Sequence, residues 1–589
     1  MIRSRLRSLF LASVWGLCAL GLLTQAQAAG KATRAERAAQ AANLEQVRAR
    51  WPEDEVIYFV LPDRFENGDP GNDRGGLSGD RLVTGFDPTH VAFYHGGDFR
   101  GLLRRLDYIQ GMGVTAIWFT PIFKNQPVQG LPGHEGSGFH GYWILDFTTV
   151  DPHLGTEDDF RALVDAAHAR GMKVIMDIVA NHTADVIQYR ECPPQGECPY
   201  RSRAEYPDHA YTPYIPAGLE HAKKPEWLND PQWYHNRGNS TFQGENSLMG
   251  DFFGLDDIKT EEPRVVEGFI DIYGSWIDRF GIDGFRIDTA KHVNPEFWQA
   301  FVPAMLKRAR AKGINHFHIF GEVANDEFDP VPLARATRVA RLPSVLDFDF
   351  PVAVRQALTS GRTDTLASML DADVLFMGGE DAARKLPTFL GNHDQGRLGW
   401  RLKQLHPDYT DDQLLARERL GNALLLTLRG VPVIYYGDEQ GFTGYGDDNA
   451  AREDMFVSQV PAYRQLSRLG GSRGPDKDSF DTSHPLYRLI GDLARVRQAE
   501  PALRRGRSVV REASREAGLF AVSRFDPASG REVLLVFNTS TKPLSQPVLV
   551  ESSSRHFHSL MGNCQATVSA PGSYAVQLEP LSWAICAAD

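Results

Sequence analysis

Residues 265–288 read VVEGFIDIYGSWIDRFGIDGFRID. From Val265 to Phe280 the apolar side chains recur at helical spacing, and the short apolar run Gly284–Ile287 that follows reads as a buried strand. Arg286 lies in that run and Asp288 just past its end. Being two residues apart, they face the same side of the strand.

The same unit repeats in both directions. Upstream, Val56–Leu61 is a strand, Phe99–Met112 has helical spacing at Leu102, Leu103, Leu106 and Ile109, and Ala116–Phe119 is the next strand. Helix Asp158–Arg170 and strand Val174–Val179 follow. Downstream come helix Pro295–Lys312 and strands at His318–Phe320, Val345–Phe348, Thr388–Leu390 and Pro432–Tyr436. Eight short apolar strands separated by helices predict an α/β fold, a closed (β/α)8 TIM barrel carried by residues 51–182 and 263–501. Residues 183–262 interrupt the alternation after the third strand. They are rich in Pro, Gly, Tyr and Trp and show no sustained period, so they read as a small inserted domain, since a structureless loop of that length is uncommon. Residues 502–589 change character again, with strands at Phe520–Phe525 and Val533–Phe537 between Gly, Pro and Ser turns, and read as a C-terminal β-sandwich.

Arg3, Arg5 and Arg7, an apolar run from Leu9 to Leu23 and then Ala26-Gln-Ala28 have the order of a secretory signal peptide cut after residue 28. The run is short for a bilayer span, so the expectation is a secreted or periplasmic protein with no membrane attachment after cleavage. Residues 29–50 form a leader. Outside the cytoplasm, the remaining cysteines are expected to pair locally as Cys192–Cys198 and Cys564–Cys586; zinc ligation competes but lacks a usual spacing. A formal net charge of −12 argues against a nucleic-acid partner.

In a barrel of this kind the chemistry sits at the C-terminal ends of the strands. Asp177, Asn181 and His182 close the third strand, Arg286 and Asp288 the fourth, Glu322 the fifth, and His393 and Asp394 the seventh. Any one acid there is more often a helix cap than a catalyst. Several acids, two histidines and an arginine on one rim favour function, because buried carboxylates without a task are costly. Cleavage of a glycosidic bond needs two facing carboxyl groups, one to attack the sugar and one to protonate the leaving oxygen. The fixed charge of Arg286 suits Asp288 to the ionised role. Glu322 must start protonated, which neighbouring carboxylates favour.

Four segments, Asp177-Ile-Val-Ala-Asn181-His182, Gly284-Phe-Arg286-Ile-Asp288-Thr-Ala-Lys291-His292, Gly321-Glu322-Val and Asn392-His393-Asp394, resemble the ordered signature regions of the α-amylase family. His140-Gly-Tyr142-Trp, Leu255-Asp-Asp257-Ile and Gly430-Val-Pro-Val-Ile-Tyr-Tyr-Gly437 agree with it, and the likeness covers residues 51–500. The resemblance implies a retaining glycoside hydrolase acting on an α-1,4-glucan, with Asp288 as nucleophile, Glu322 as general acid/base and Asp394 as transition-state stabiliser; a monomer is expected. It implies substrate contacts by Tyr142, His182, Arg286 and His393 at the cleaved sugar, with Lys291 and His292 on the leaving-group side.

The loop Asn67-Gly-Asp69-Pro-Gly-Asn72-Asp73 reads on spacing alone equally as a solvated turn or as an oxygen cradle for a hard cation. The resemblance favours calcium there, with Gly96 and Asp98 completing the set. It implies a second calcium held by Asn181, Asp257 and the backbone of His292, although Lys259 stands where the family often has Asn or Asp. Two rivals stand beside this reading, the second of which the intact Asp288, Glu322 and Asp394 argue against. A cyclodextrin-forming or other glucanotransferase would keep the same catalytic groups, and a non-catalytic glucan-binding relative would keep the fold.

Overall fold

Seven parallel strands make the central sheet, in the order His318–Gly321, Gly284–Ile287, Lys173–Ile178, Ala116–Phe119, Ile57–Val60, Val431–Tyr435, Pro387–Thr388. The computed structural model describes residues 38–193, 198–446, 448–471, 474 and 476–589. The signal-peptide reading of residues 1–28 therefore lies outside the described residues. Residues 38–49 of the leader are helical.

The two ends of this sheet meet across residues 344–347, which closes the barrel. Val345 bridges Gly321, Leu346 N donates to Gly321 O at 2.9 Å, and Asp347 N donates to Pro387 O at 2.9 Å. The strand expected at Val345–Phe348 is thus a single bridge. Helix Asp349–Thr359 starts immediately afterwards, and the Asp347 carboxylate turns sideways to pair with Arg429. The strand expected at Thr388–Leu390 likewise shortens to Pro387–Thr388.

The strands are buried on both faces, as a parallel sheet wrapped by helices requires. Inside the barrel Phe59 stacks on Trp118 with centroids 3.7 Å apart, and Trp118 meets Phe320 edge-on at 5.7 Å. The helices begin and end where local chemistry says they should. Helix Glu157–Ala169 opens on a reciprocal Thr156–Asp159 capping box. Helix Pro263–Phe280 starts on proline and stops at Gly281, whose φ of 64° is open to glycine at little cost.

The inserted segment carries little regular structure: the pair Gln188–Tyr189 with Pro213–Tyr214, short 3-10 turns, and helix Asn246–Met249. Polar contacts hold it. Buried Lys223 reaches Asp256 at 2.5 Å, and Asp256 accepts from the amides of Val186 at 3.1 Å and Ile187 at 3.0 Å. A disulfide joins Cys192 and Cys198. The segment returns to the barrel through a bridge between His182 and Asp257.

After the five-residue helix Pro501–Arg505, which the sequence reading missed, the C-terminal region is all β. A five-stranded antiparallel sheet runs in the order Arg507–Glu512, Leu519–Phe525, Glu532–Asn538, Trp583–Ala588, Phe557–Met561. The pair Leu544–Leu549 and Ser573–Leu578 packs on it, and Leu534, Val536 and Cys586 share one apolar core with Val548, Tyr574 and Val576. Cys564 and Cys586 form the second disulfide. Among the described residues no helix is long and apolar enough to cross a membrane.

Candidate active site

Arg286 organises the rim. Its strand lies between Lys173–Ile178 and His318–Gly321, in a register that sets Arg286 beside Asp177 on one flank and Phe320 on the other. Its side chain is 1% exposed, and its guanidinium spans three acids. Nη1 donates to Asp177 Oδ1 at 2.9 Å and to Asp288 Oδ1 at 2.8 Å, while Nη2 lies 2.9 Å from Glu322 Oε2. The amide of Thr289, held at φ 46°, donates to the same Glu322 oxygen at 2.9 Å. Each reacting carboxyl is therefore tethered by one oxygen, while Asp288 Oδ2 and Glu322 Oε1 take no hydrogen bond among the described residues and both side chains line the cleft.

Burial, together with the like charges of Glu322, Asp177 and Asp394, lifts Asp288 well above the usual carboxylate range against the pull of Arg286. Asp177 is pushed up to about 7, again by burial first, with Arg286 opposing. Four acids (Asp177, Asp288, Glu322, Asp394) thus share two arginines, Arg286 and Arg452. This revises the simpler expectation that Arg286 alone keeps Asp288 ionised. The guanidinium is shared among three carboxylates.

Tyr142 closes the other wall. Its hydroxyl lies 2.8 Å from His393 Nε2 and donates to Asp177 Oδ2 at 3.1 Å, and its ring stacks on His393 with centroids 5.5 Å apart. Burial depresses the pKa of both rim histidines, His182 to about 3 and His393 well below its ordinary value. Both are neutral at working pH, and His182 Nε2 and His393 Nδ1 are buried without a hydrogen-bond partner. Asp394 is the most accessible of the acids at 45% side-chain exposure, and Arg452 Nη2 holds its Oδ1 at 3.0 Å. Lys291 Nζ donates to Ala324 O at 2.9 Å, and His292 Nδ1 contacts Ser247 Oγ at 2.9 Å.

A cavity of about 700 Å³ brings together Tyr142, His182, Asp288, Glu322, Asp394 and Arg452. It shares Phe252, Phe253, Thr289 and Glu322 with a second cavity of about 260 Å³, which Phe242, Lys291 and His292 also line. Sequence reading missed Arg452, Trp118, whose Nε1 donates to Asp177 Oδ2 at 3.1 Å, and the trio Phe242, Phe252 and Phe253. Only the trio left a trace in sequence, as aromatics in the inserted segment.

The two cation loops differ. In the first, Asp98 accepts from the amides of Gly68, Asp69 and Gly101, so it caps helix Phe99–Gly111 as well as facing the loop. Asn67 Oδ1 and Asn72 Oδ1 are buried without a hydrogen-bond partner. Burial and the charges of Asp63, Asp98 and Asp69 push Asp73 up to about 6. At Gly96, φ 97°, an added Cβ would lie 2.7 Å from both Asn67 Nδ2 and Asp73 Oδ1. Orphaned oxygens beside crowded acids fit a hard cation. In the second, Asp257 Oδ2 is taken up by His235 Nδ1 at 2.5 Å, and Asn181 Nδ2 turns to His182 Nδ1 at 3.2 Å. That set does not fit an ion in this arrangement, because His235 already engages the Asp257 carboxylate and Asn181 is turned to His182. Among the described residues no three His, Cys, Asp or Glu side chains converge as a metal cluster.

Residues 59–478 match the family model described as alpha amylase, catalytic domain. An α-amylase of Streptomyces lividans is 44% identical over 536 residues, covering 85% of this chain and 58% of that protein. Among solved structures, an Anoxybacillus α-amylase superposes with a TM-score of 0.69 at 28% identity, over 92% of this chain and 99% of that one. CldA, a cyclomaltodextrin glucanotransferase with a three-domain ABC distribution, gives 0.69 at 28% identity over 90% and 99%. The chain thus spans little more than half the length of its Streptomyces relative.

Proposed function

Because the chain belongs to the α-amylase family, we propose that it is a retaining α-glucan hydrolase, an α-amylase that cuts α-1,4-glucosidic bonds inside starch-like chains. The observation that carries this is the tethering of Asp288 and Glu322 to neighbouring nitrogens of one guanidinium, with both residues lining a common cleft. Retention needs the two carboxyls roughly 5 Å apart, a spacing that two nitrogens of one arginine suit.

In this mechanism Asp288 Oδ2 attacks the anomeric carbon as Glu322 Oε1 gives its proton to the glycosidic oxygen, and the C–O bond breaks. Water then gives its proton back to Glu322, and its oxygen displaces Asp288, so the released sugar keeps the α-configuration. Asp394, steadied by Arg452, faces the positive charge that develops on the ring. Neutral His182 and His393 offer ring nitrogens to the sugar's hydroxyls, and Tyr142 offers a flat face. Lys291 and His292 line the side from which the leaving chain departs.

One observation favours a second activity beside hydrolysis. Phe242, Phe252 and Phe253 make an apolar wall beside Glu322, and Phe253 is 78% exposed. Such a wall favours a sugar over water as acceptor and so transfer to another glucan chain. Calcium would be held by Asn67, Asp69, Asn72, Asp73, Asp98 and the Gly96 carbonyl, where it would offset the acids' repulsion and stiffen the loop. The signal-like N-terminus supports export. We assign residues 183–262 to a unit inserted in the barrel and 502–589 to a separate β-domain.

NMR of the first sugar released from soluble starch tests the reading. The α-anomer is expected, and the β-anomer or no cleavage at all overturns it.

A further inference from the structure

A third cavity, of about 400 Å³, shares Asp394 with the catalytic cleft and is otherwise lined by Asp326, Val352, Arg355, Gln395 and Arg401. None of these five residues entered the mechanism. Its place on the rim sets it apart from the other two cavities. Asp326 follows the fifth strand, Val352 and Arg355 lie on helix Asp349–Thr359, and Gln395 and Arg401 follow the seventh. The main cleft runs toward the third strand and the loop after the eighth, whereas the Phe242 cavity opens between the fourth strand, the fifth and the inserted segment. A group entering the third cavity therefore leaves the line that joins the other two.

The wall is built and polar. Gln395 Nε2 donates to Asp326 Oδ1 at 3.0 Å and to Asn325 O at 3.2 Å, and Arg401 Nε donates to Gln395 O at 2.8 Å. Arg355 is half-buried, yet its guanidinium makes no hydrogen bond or ion pair among the described residues. A guanidinium carries five fixed donors, and those of Arg355, free of protein partners, are available to a ligand in the cavity. Arg355 and Arg401 donate while Asp326 and Asp394 accept, so the wall is mixed in sign. An anion would meet two carboxylates there. A neutral polyol finds donors and acceptors together, and the volume suits one sugar ring.

We propose that this cavity is an accessory glucosyl subsite, with Arg355 as its hydroxyl-binding side chain, that receives a sugar branching off the main chain beside the scissile bond. The inference rests on the glucan-cleaving reading and specifies which substrates that site prefers.

The test compares maltohexaose with a hexasaccharide of equal size carrying an α-1,6-linked glucosyl stub. It uses the full chain and its Arg355→Ala and Arg355→Lys variants. The branched-to-linear ratio of kcat/KM is expected to fall about tenfold in Arg355→Ala, the scale of a lost hydrogen bond to a charged group, and less in Arg355→Lys. An unchanged ratio, including an equal loss on both sugars, overturns the subsite. Calorimetry in the Glu322→Gln background separates the two ideas. Arg355→Ala there is expected to weaken the branched sugar alone, even if the parent enzyme cleaves neither. Equal binding of the two sugars with and without Arg355 overturns the subsite, whatever the activity.

Discussion

Arg452 Nη2 lies 3.0 Å from Asp394 Oδ1, and the same side chain donates through Nε to the backbone carbonyl of His393 at 3.0 Å. One arginine from the loop after the eighth strand thus fixes both the backbone and the carboxylate of the seventh-strand pair. Arg452→Ala is expected to lower kcat/KM roughly ten- to a hundredfold, the scale of one charged hydrogen bond. The loss should fall on kcat more than on KM. Steady-state kinetics on a maltooligosaccharide check this, and a loss confined to KM would assign Arg452 to ground-state binding.

Replacing the tethered acids separates chemistry from folding. Asp288→Asn is expected to abolish turnover, and Glu322→Gln to reduce it by roughly 10²–10⁴-fold. Asp288 sits buried among like charges that raise its pKa, so its ionised form opposes folding at neutral pH. Asp288→Asn should therefore melt higher than the parent at pH 7. The gap should narrow as pH falls from the folded pKa toward the unfolded value of about 3.9, where both states hold the proton. Calorimetric melts at pH 7 and pH 4 measure it.

Buried neutral histidines set an acid limit on stability. Burial holds His318 down at about 3, near Lys173, with Nε2 against Lys385 O at 3.2 Å. An unfolded histidine takes up its proton near pH 6.5. Between about 6.5 and 3 the unfolded chain binds a proton that the folded chain refuses, so stability falls as pH falls. The slope is about 1.4 kcal/mol per pH unit for each such group. His182 adds a second. His318→Gln should flatten the dependence of the urea midpoint on pH by one proton between pH 6 and 4.

Chelation should loosen the first loop. With EDTA the melting temperature is expected to fall, and excess calcium should restore it, by mass action on the folded state. Asn72→Ala should weaken this response, because it removes an oxygen that is buried without a protein partner. Gly96→Ala should weaken it more, since its Cβ would press on Asn67 and Asp73. Metal analysis of protein purified without chelator gives the stoichiometry.

Much of this was legible in the sequence because strand ends carry it. Arg286 and Asp288 share a strand face through a two-residue spacing, and the helix–strand alternation marks which rim they occupy. Residues brought in by tertiary packing left no local signal. Arg452 lies 58 residues from Asp394 in an irregular loop, and Trp118 reads as one more core aromatic until its indole N–H meets Asp177. His235 is likewise invisible beside Asp257 in a segment without period. At Val345 the apolar run read as a strand, but Asp347 and the helix behind it ended the pairing after one bridge.

That single bridge has a mechanical consequence. Glu322 follows the strand on one side of residues 344–347, and Asp394 follows the strand on the other, with the amides of Gly321, Leu346 and Asp347 and the hydroxyl of Ser344 lacing the two together. Fraying there would let the acid/base and the stabilising carboxylate breathe apart while Arg286 keeps Asp288 anchored in a full ladder. Backbone amides at 346 and 347 should therefore exchange with solvent deuterium sooner than those at 285–287. The aperture of the cleft would then be set at this hinge, opposite the inserted segment, and next to the cavity that holds Arg355.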